Sequence, residues 1–121
     1  MARFTIVGAG AIGGIVGANL IRTGHDVSFI ESNRPHVEAI RAGGLHLGGA
    51  LEMTVRAPIL LPEEATAPLG RVLLAVKARH TEQALQPLAH LLTPAGYVVS
   101  LQNGLEEYKI AAMVGEARTI G

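Results

Sequence analysis

Residues Val7-Gly8-Ala9-Gly10-Ala11-Ile12-Gly13 place three glycines in a G-x-G-x-x-G spacing between an apolar run and a helical pattern. That arrangement serves phosphate binding. Gly8 suits a tight turn, Gly10 lets a pyrophosphate approach the backbone, and Gly13 lets the following helix pack against the strand. The phosphates would rest on unpaired N–H groups at the helix N-terminus, helped by its dipole. Glycines 13, 14 and 17 all fall inside that helix. Together they forgo roughly 3 kcal/mol of helix propensity relative to alanine, which close approach to strand or ligand must offset.

Four other residues sit where a dinucleotide would lie. Glu31 follows the second apolar strand, about 20 positions past the loop, where an acid binds the 2′-hydroxyl of NAD. Arg34 stands three residues on and could reach the 2′-phosphate of NADP if the loop folds back, so these residues leave NAD and NADP both open. Lys77 ends the run Arg71-Val72-Leu73-Leu74-Ala75-Val76, and Asn103 follows Tyr97-Val98-Val99-Ser100-Leu101. Ligands of open α/β sheets bind outside the carboxyl ends of the strands. A lysine there can neutralise phosphate, and an asparagine amide can donate to a ribose or carbonyl oxygen.

Other chemistries lack support. His25, His36, His46, His80 and His90 are scattered singly, without metal-ligand spacing, and read as surface or helix-end residues. Ser28 and Ser100 lack a nucleophile elbow. Glu63-Glu64 and Glu106-Glu107 are adjacent pairs that diverge on a helix and read as solvated or capping charges.

The elements that must position the loop and strand ends alternate in type. Strands are expected at Phe4 to Val7, Val27 to Ile30, Arg71 to Val76 and Tyr97 to Leu101, with another beginning at Thr119-Ile120. Helices are expected from Ala11 to Thr23 with Gly24 as the stop, from an Asn33 or Ser32 cap to Gly43-Gly44, from Thr81 to Leu92, and from Leu105 to Val114. Pro94 and Gly96 are expected to close the third helix. Leu45 to Val55 reads as a small hairpin turning at Gly48-Gly49-Ala50. Pro58 to Pro68 reads as a loop with one helical turn at Glu63-Glu64. The alternation implies an α/β, Rossmann-type doubly wound, mainly parallel sheet with helices on both faces.

The 121 residues make one domain, 1–121. Apolar residues reach 49% against 17% charged, so the core is aliphatic and the protein reads as soluble. Ten bases balance ten acids, which argues against a nucleic-acid partner. No apolar run spans a membrane, and Arg3 with the early glycines breaks up any signal sequence. The absence of cysteine suits a reducing cytoplasm.

The segments GAGAIGG, GHDVSFI, AIRAGGL, LLAVKARHTEQAL and SLQNGLEE together resemble the N-terminal half of the ketopantoate reductase family. The resemblance runs the whole chain, and its V-K-A and Q-N-G segments are more specific than the glycine loop. It implies NADPH-dependent reduction of 2-dehydropantoate to pantoate, on the route to pantothenate. Gly8, Ala9, Gly10, Ala11, Ile12 and Gly13 would hold the pyrophosphate, Lys77 would contact the cofactor, and Asn103 would lie between nicotinamide and substrate. Two departures stand out. Ser32 occupies the place where the family commonly has a phosphate-binding arginine. The family's helical second domain, with its catalytic lysine and acid, has no counterpart here, so no catalytic residue is assigned to this chain.

A strand just beginning at Thr119 leads us to expect a fragment of a longer protein, whose uncovered surface could drive self-association. Two alternatives stand beside this reading. One is the cofactor domain of another NAD-dependent 2-hydroxy-acid dehydrogenase. The other is a stand-alone dinucleotide-binding module.

Overall fold

A computed structural model describes residues 2–48, 52–102 and 107–121. The strands are β1 (Arg3–Val7), β2 (Asp26–Ile30), β3 (Leu45–Leu47), β4 (Met53–Val55), β5 (Ile59–Leu60), β6 (Leu69–Leu74), β7 (Leu92–Ser100) and β8 (Thr119–Ile120). The α-helices are α1 (Ala11–Arg22), α2 (Arg34–Gly43), α3 (Thr81–Leu85) and α4 (Glu107–Val114). Six strands form one sheet in the order β5-β2-β1-β6-β7-β8, every pair parallel. From β1 the chain builds outward to β5, then returns past β1 to build β6, β7 and β8 on the other side. That reversal is the topological switch point of a doubly wound fold.

Alternation along the central strands assigns each side chain to a face. Ile6, Phe29 and Leu73 point into a core closed by α1, α2 and the hairpin, with Val37, Ile40, Leu45 and Val55. Val7, Ile30 and Leu74, one residue later in each strand, point into a second core with Leu85, Leu88, Ile110 and Val114. Two buried faces explain why these strands are almost wholly apolar. The glycines of α1 meet the first core closely: a Cβ at Gly17 would lie 2.5 Å from the Phe29 ring, and one at Gly14 would lie 3.2 Å from Leu45. Packing of the helix onto sheet and hairpin thus offsets its weak helix propensity.

β3 and β4 pair antiparallel as the expected hairpin; its turn at 49–51 lies outside the described residues. Asn33 caps α2 by accepting from the His36 N–H at 3.1 Å. Pro62–Glu64 is the expected helical turn, in 3-10 form.

Three expectations are corrected. The helix expected from Thr81 to Leu92 stops at Leu85 as the five-residue α3 and resumes only as a 3-10 turn at Ala89–Leu91, while another 3-10 turn at Ala78–His80 precedes it. Pro87 has no N–H to continue the α-helical ladder, and its ring would clash one turn back. Pro94 and Gly96 do not end a helix but lie inside β7. There Leu69 pairs with Leu92 and Arg71 with Tyr97, so the intervening residues of β7 bulge out and Pro94 owes the ladder no donor. Finally, the Pro58 to Pro68 loop contains β5, whose two residues extend the sheet edge beside β2.

Candidate functional site

The strands end in register. Leu60, Ile30, Val7, Leu74 and Ser100 form one row across five neighbouring strands. The residues that follow β1, β2 and β6 in that row line a cleft of about 700 Å3, together with the glycine loop, Ile30 to Asn33, Pro62, Val76, Lys77, Arg79, His80 and Gln83. Sheet hydrogen bonding continues one step past the row. Gly8 donates to the Ile30 carbonyl at 2.8 Å, Ala75 to that of Val7 at 2.8 Å, and Leu101 to that of Leu74 at 2.9 Å.

Within the loop, Gly8 has φ +107°, a conformation that L side chains rarely adopt, and a Cβ there would lie 3.0 Å from Val76. At Gly13 a Cβ would overlap the Gly8 carbonyl oxygen and stand 3.2 Å from the Ala75 methyl. Both positions exclude side chains because helix, loop and β6 converge there. Gly10 is different: it faces open space, and as N-cap of α1 it offers no side-chain acceptor to the first-turn N–H groups. Those donors stay available to an anion.

Glu31 and Asn33, on one wall of the cleft, belong to a closed ring of hydrogen bonds. Glu31 Oε1 accepts from the Ala9 N–H at 2.8 Å, and Oε2 accepts from the Asn33 N–H at 2.9 Å. Asn33 Oδ1 accepts from the His36 N–H at 3.1 Å. The His36 ring returns to the loop, with Nε2 2.8 Å from the Ala9 carbonyl oxygen. Sequence reasoning placed Glu31 just past the second strand, and in the structure it follows β2, lines the cleft and already holds two backbone donors. His36, read as a surface or helix-end histidine, stands in the first turn of α2 and grips the glycine loop from there. A histidine three residues past an N-cap gives no sign of this, because the contact spans 27 positions.

Arg34 does not line the cleft. Its guanidinium pairs with Glu63 at 3.0 Å, both side chains largely exposed. Beside it Arg41 reaches Glu64 at 2.6 Å and the Ile59 carbonyl at 3.1 Å. The Leu61 N–H and the Arg41 guanidinium hold the Glu64 carboxyl below its ordinary pKa. These contacts fasten β5 and the Pro62–Glu64 turn to α2.

The opposite wall is cationic. Lys77 lies three residues beyond Leu74, lines the cleft, and makes no ion pair among the described residues. Arg79 and His80 line it as well. Gln102, which sequence reasoning passed over in favour of its neighbour, fixes this loop. Its Nε2 donates to the Val76 carbonyl at 3.0 Å and to Thr81 Oγ1 at 2.6 Å, while its Oε1 accepts from Ser100 at 3.1 Å. Thr81 is buried and donates to the Ala78 carbonyl, closing the turn that carries Lys77. Asn103 lies outside the described residues. No cluster of three metal-ligating side chains occurs among the described residues, and no helix of theirs is long and apolar enough to cross a membrane.

The family profile for ketopantoate reductase PanE/ApbA matches residues 4–121. A 2-dehydropantoate 2-reductase of Pyrococcus abyssi is 37% identical over 118 residues, covering 95% of this chain and 38% of the relative. Among solved structures, the 2-dehydropantoate 2-reductase of Geobacter metallireducens superimposes with TM-score 0.79 at 34% identity, covering 97% of this chain and 39% of the other. D-mandelate dehydrogenase in ternary complex with NADH and anilino(oxo)acetate superimposes with TM-score 0.91 at 30% identity, covering 98% and 40%. The chain therefore spans about two fifths of the length of these proteins.

Proposed function

This chain belongs to the ketopantoate reductase PanE/ApbA family, and on that premise we propose that its cleft binds the nicotinamide dinucleotide of a 2-oxo acid reductase. The observation that carries this is the glycine loop at the sheet's switch point: Gly10 opens onto the cleft, and the first turn of α1 has no side-chain cap. A pyrophosphate fits that set of donors, and the cationic Lys77 wall balances its charge. When bound, the reduced dinucleotide supplies a hydride for a carbonyl carbon, and the chain supplies orientation and electrostatics. For the whole protein, the substrate best supported by the relatives is 2-dehydropantoate, reduced to pantoate. The proton donor belongs to the rest of the protein, as the family resemblance implies.

The adenosine end favours NADH. Glu31 holds its negative charge at the end of β2 and has lone pairs left for two ribose hydroxyls. A 2′-phosphate there meets a carboxylate rather than a cation, because Arg34 is turned to Glu63. NADPH, which the family resemblance implies, is the second reading. It requires Arg34 to leave Glu63, or Arg79 to serve the phosphate from the other wall.

Calorimetric titration of the chain with NADH and NADPH tests both readings. Tighter NADH binding, insensitive to Arg34→Ala, is the expected result. NADPH preference that disappears with Arg34→Ala would establish the second reading, and binding of neither dinucleotide would refute the proposal.

A further inference from the structure

The geometry points to His36 as a positioning residue for the pyrophosphate, acting through the Ala9–Gly10 peptide. This rests on the dinucleotide reading above. Both polar groups of Ala9 are engaged: Glu31 takes its N–H at 2.8 Å, and the His36 ring takes its carbonyl at 2.8 Å. A carbonyl only accepts, so His36 carries its ring hydrogen on Nε2.

The next link is the geometry of the peptide itself. No peptide bond in the described residues is cis, and in a trans peptide the N–H points opposite to the carbonyl of the same unit. With the Ala9 carbonyl drawn toward α2, the Gly10 N–H is turned the other way. That N–H has no partner among the described residues, and Gly10 lines the cleft with open space before it. His36 therefore sets the direction of a donor it does not touch. Without that anchor the Ala9–Gly10 unit loses its hold on the carbonyl side, and Gly10 itself adds little steric resistance to its rotation.

The ring of four residues supplies the rigidity. The backbone N–H of His36 is held by the Asn33 side chain, whose own N–H is held by Glu31. The imidazole thus projects from a capped helix start and has few ways to miss its acceptor.

The experiment measures NADH and NADPH binding to the chain in His36→Ala, His36→Gln and His36→Asn. A glutamine amide reaches as far as Nε2 and can donate to the carbonyl, whereas an asparagine amide is too short. His36→Ala and His36→Asn are expected to weaken both dinucleotides by the same factor, roughly three- to tenfold, the worth of one net hydrogen bond. His36→Gln should recover most of the loss, and the NADH-to-NADPH ratio should stay at its wild-type value in all three. The Gly10 amide resonance should move in the ligand-free Ala and Asn variants and return in the Gln variant. The inference is overturned if His36→Ala binds as wild type, if the ratio changes, or if glutamine fails to restore binding in a folded protein. Should alanine prevent folding, the Gln–Asn comparison carries the same decision. Failure of the wild-type chain to bind either dinucleotide would instead refute the dinucleotide reading.

Discussion

Substituting Glu31 with glutamine keeps the side chain's shape while removing its charge, so it probes the electrostatic part of cofactor choice. In the folded chain the two carboxylate oxygens accept from Ala9 and Asn33 at 2.8 and 2.9 Å, which fixes the charge at the end of β2. A dinucleotide whose ribose hydroxyls bind this carboxylate would bring a 2′-phosphate to within about 5 Å of it. With about two negative charges on the phosphate and an effective dielectric of roughly 40–80, the repulsion is roughly 1.5–3 kcal/mol. That corresponds to about 10- to 100-fold in relative affinity. Glu31→Gln is therefore expected to raise the NADPH-to-NADH affinity ratio by about 10- to 100-fold. Part of the change comes from weaker NADH binding, because a glutamine oxygen serves only one of the two backbone donors and leaves fewer lone pairs for the ribose hydroxyls. Its amide nitrogen then faces the other N–H, so the loop should also become less ordered. Fluorescence or calorimetric titration reads the ratio directly, and the wild-type discrimination should shrink as salt rises. An unchanged ratio in Glu31→Gln would refute this reasoning and move the adenosine end away from Glu31.

Two further predictions test the scaffold. Gly13→Ala introduces a methyl that overlaps the Gly8 carbonyl oxygen and crowds Ala75; a loss of about 1–3 kcal/mol in urea unfolding is expected, with dinucleotide binding lost, and wild-type stability would contradict the close approach. Glu64 has its pKa lowered in the folded chain by the Leu61 N–H and Arg41. Its contribution to stability is thus present above the unfolded carboxyl pKa and disappears as pH falls through the lower folded value. Melting temperature followed through the acid range should fall less steeply in Glu64→Gln than in the wild type; identical slopes would show that the carboxylate contributes nothing.

What was legible in the sequence is what neighbours along the chain decide. The turn at Gly8, the Asn33 cap and the small hairpin each depend on residues close along the chain. The one-residue offset between Ile6 and Val7, repeated at Phe29 and Ile30 and at Leu73 and Leu74, carries the two-faced sheet in the apolar pattern itself. The ends of buried parallel strands were legible for the same reason, so Glu31 and Lys77 could be placed on the cleft.

Where local signals compete, the reading failed. Apolar spacing from Thr81 onward is helical, but Pro87 removes a backbone donor in its middle. β5 has only two residues, too few for any period, and exists because the β2 edge offers it partners: Phe29 donates to the Pro58 carbonyl and Glu31 to that of Leu60.

Tertiary structure alone decided which polar groups meet. Arg34 and Glu63 are 29 residues apart, His36 and Ala9 are 27, and Gln102 and Val76 are 26. Those partners come together only because the sheet order sets β2 beside β1 and β7 beside β6, with all their carboxyl ends on one row. A hydrogen bond is decided within a few tenths of an ångström, whereas residue type and spacing fix position only to within a helical turn or a strand end. The sequence therefore determined that a glycine loop and the strand ends at Glu31 and Lys77 meet in one cleft. The folded chain determined that Arg34 turns away from the cleft while His36 and Gln102 hold its loops in place.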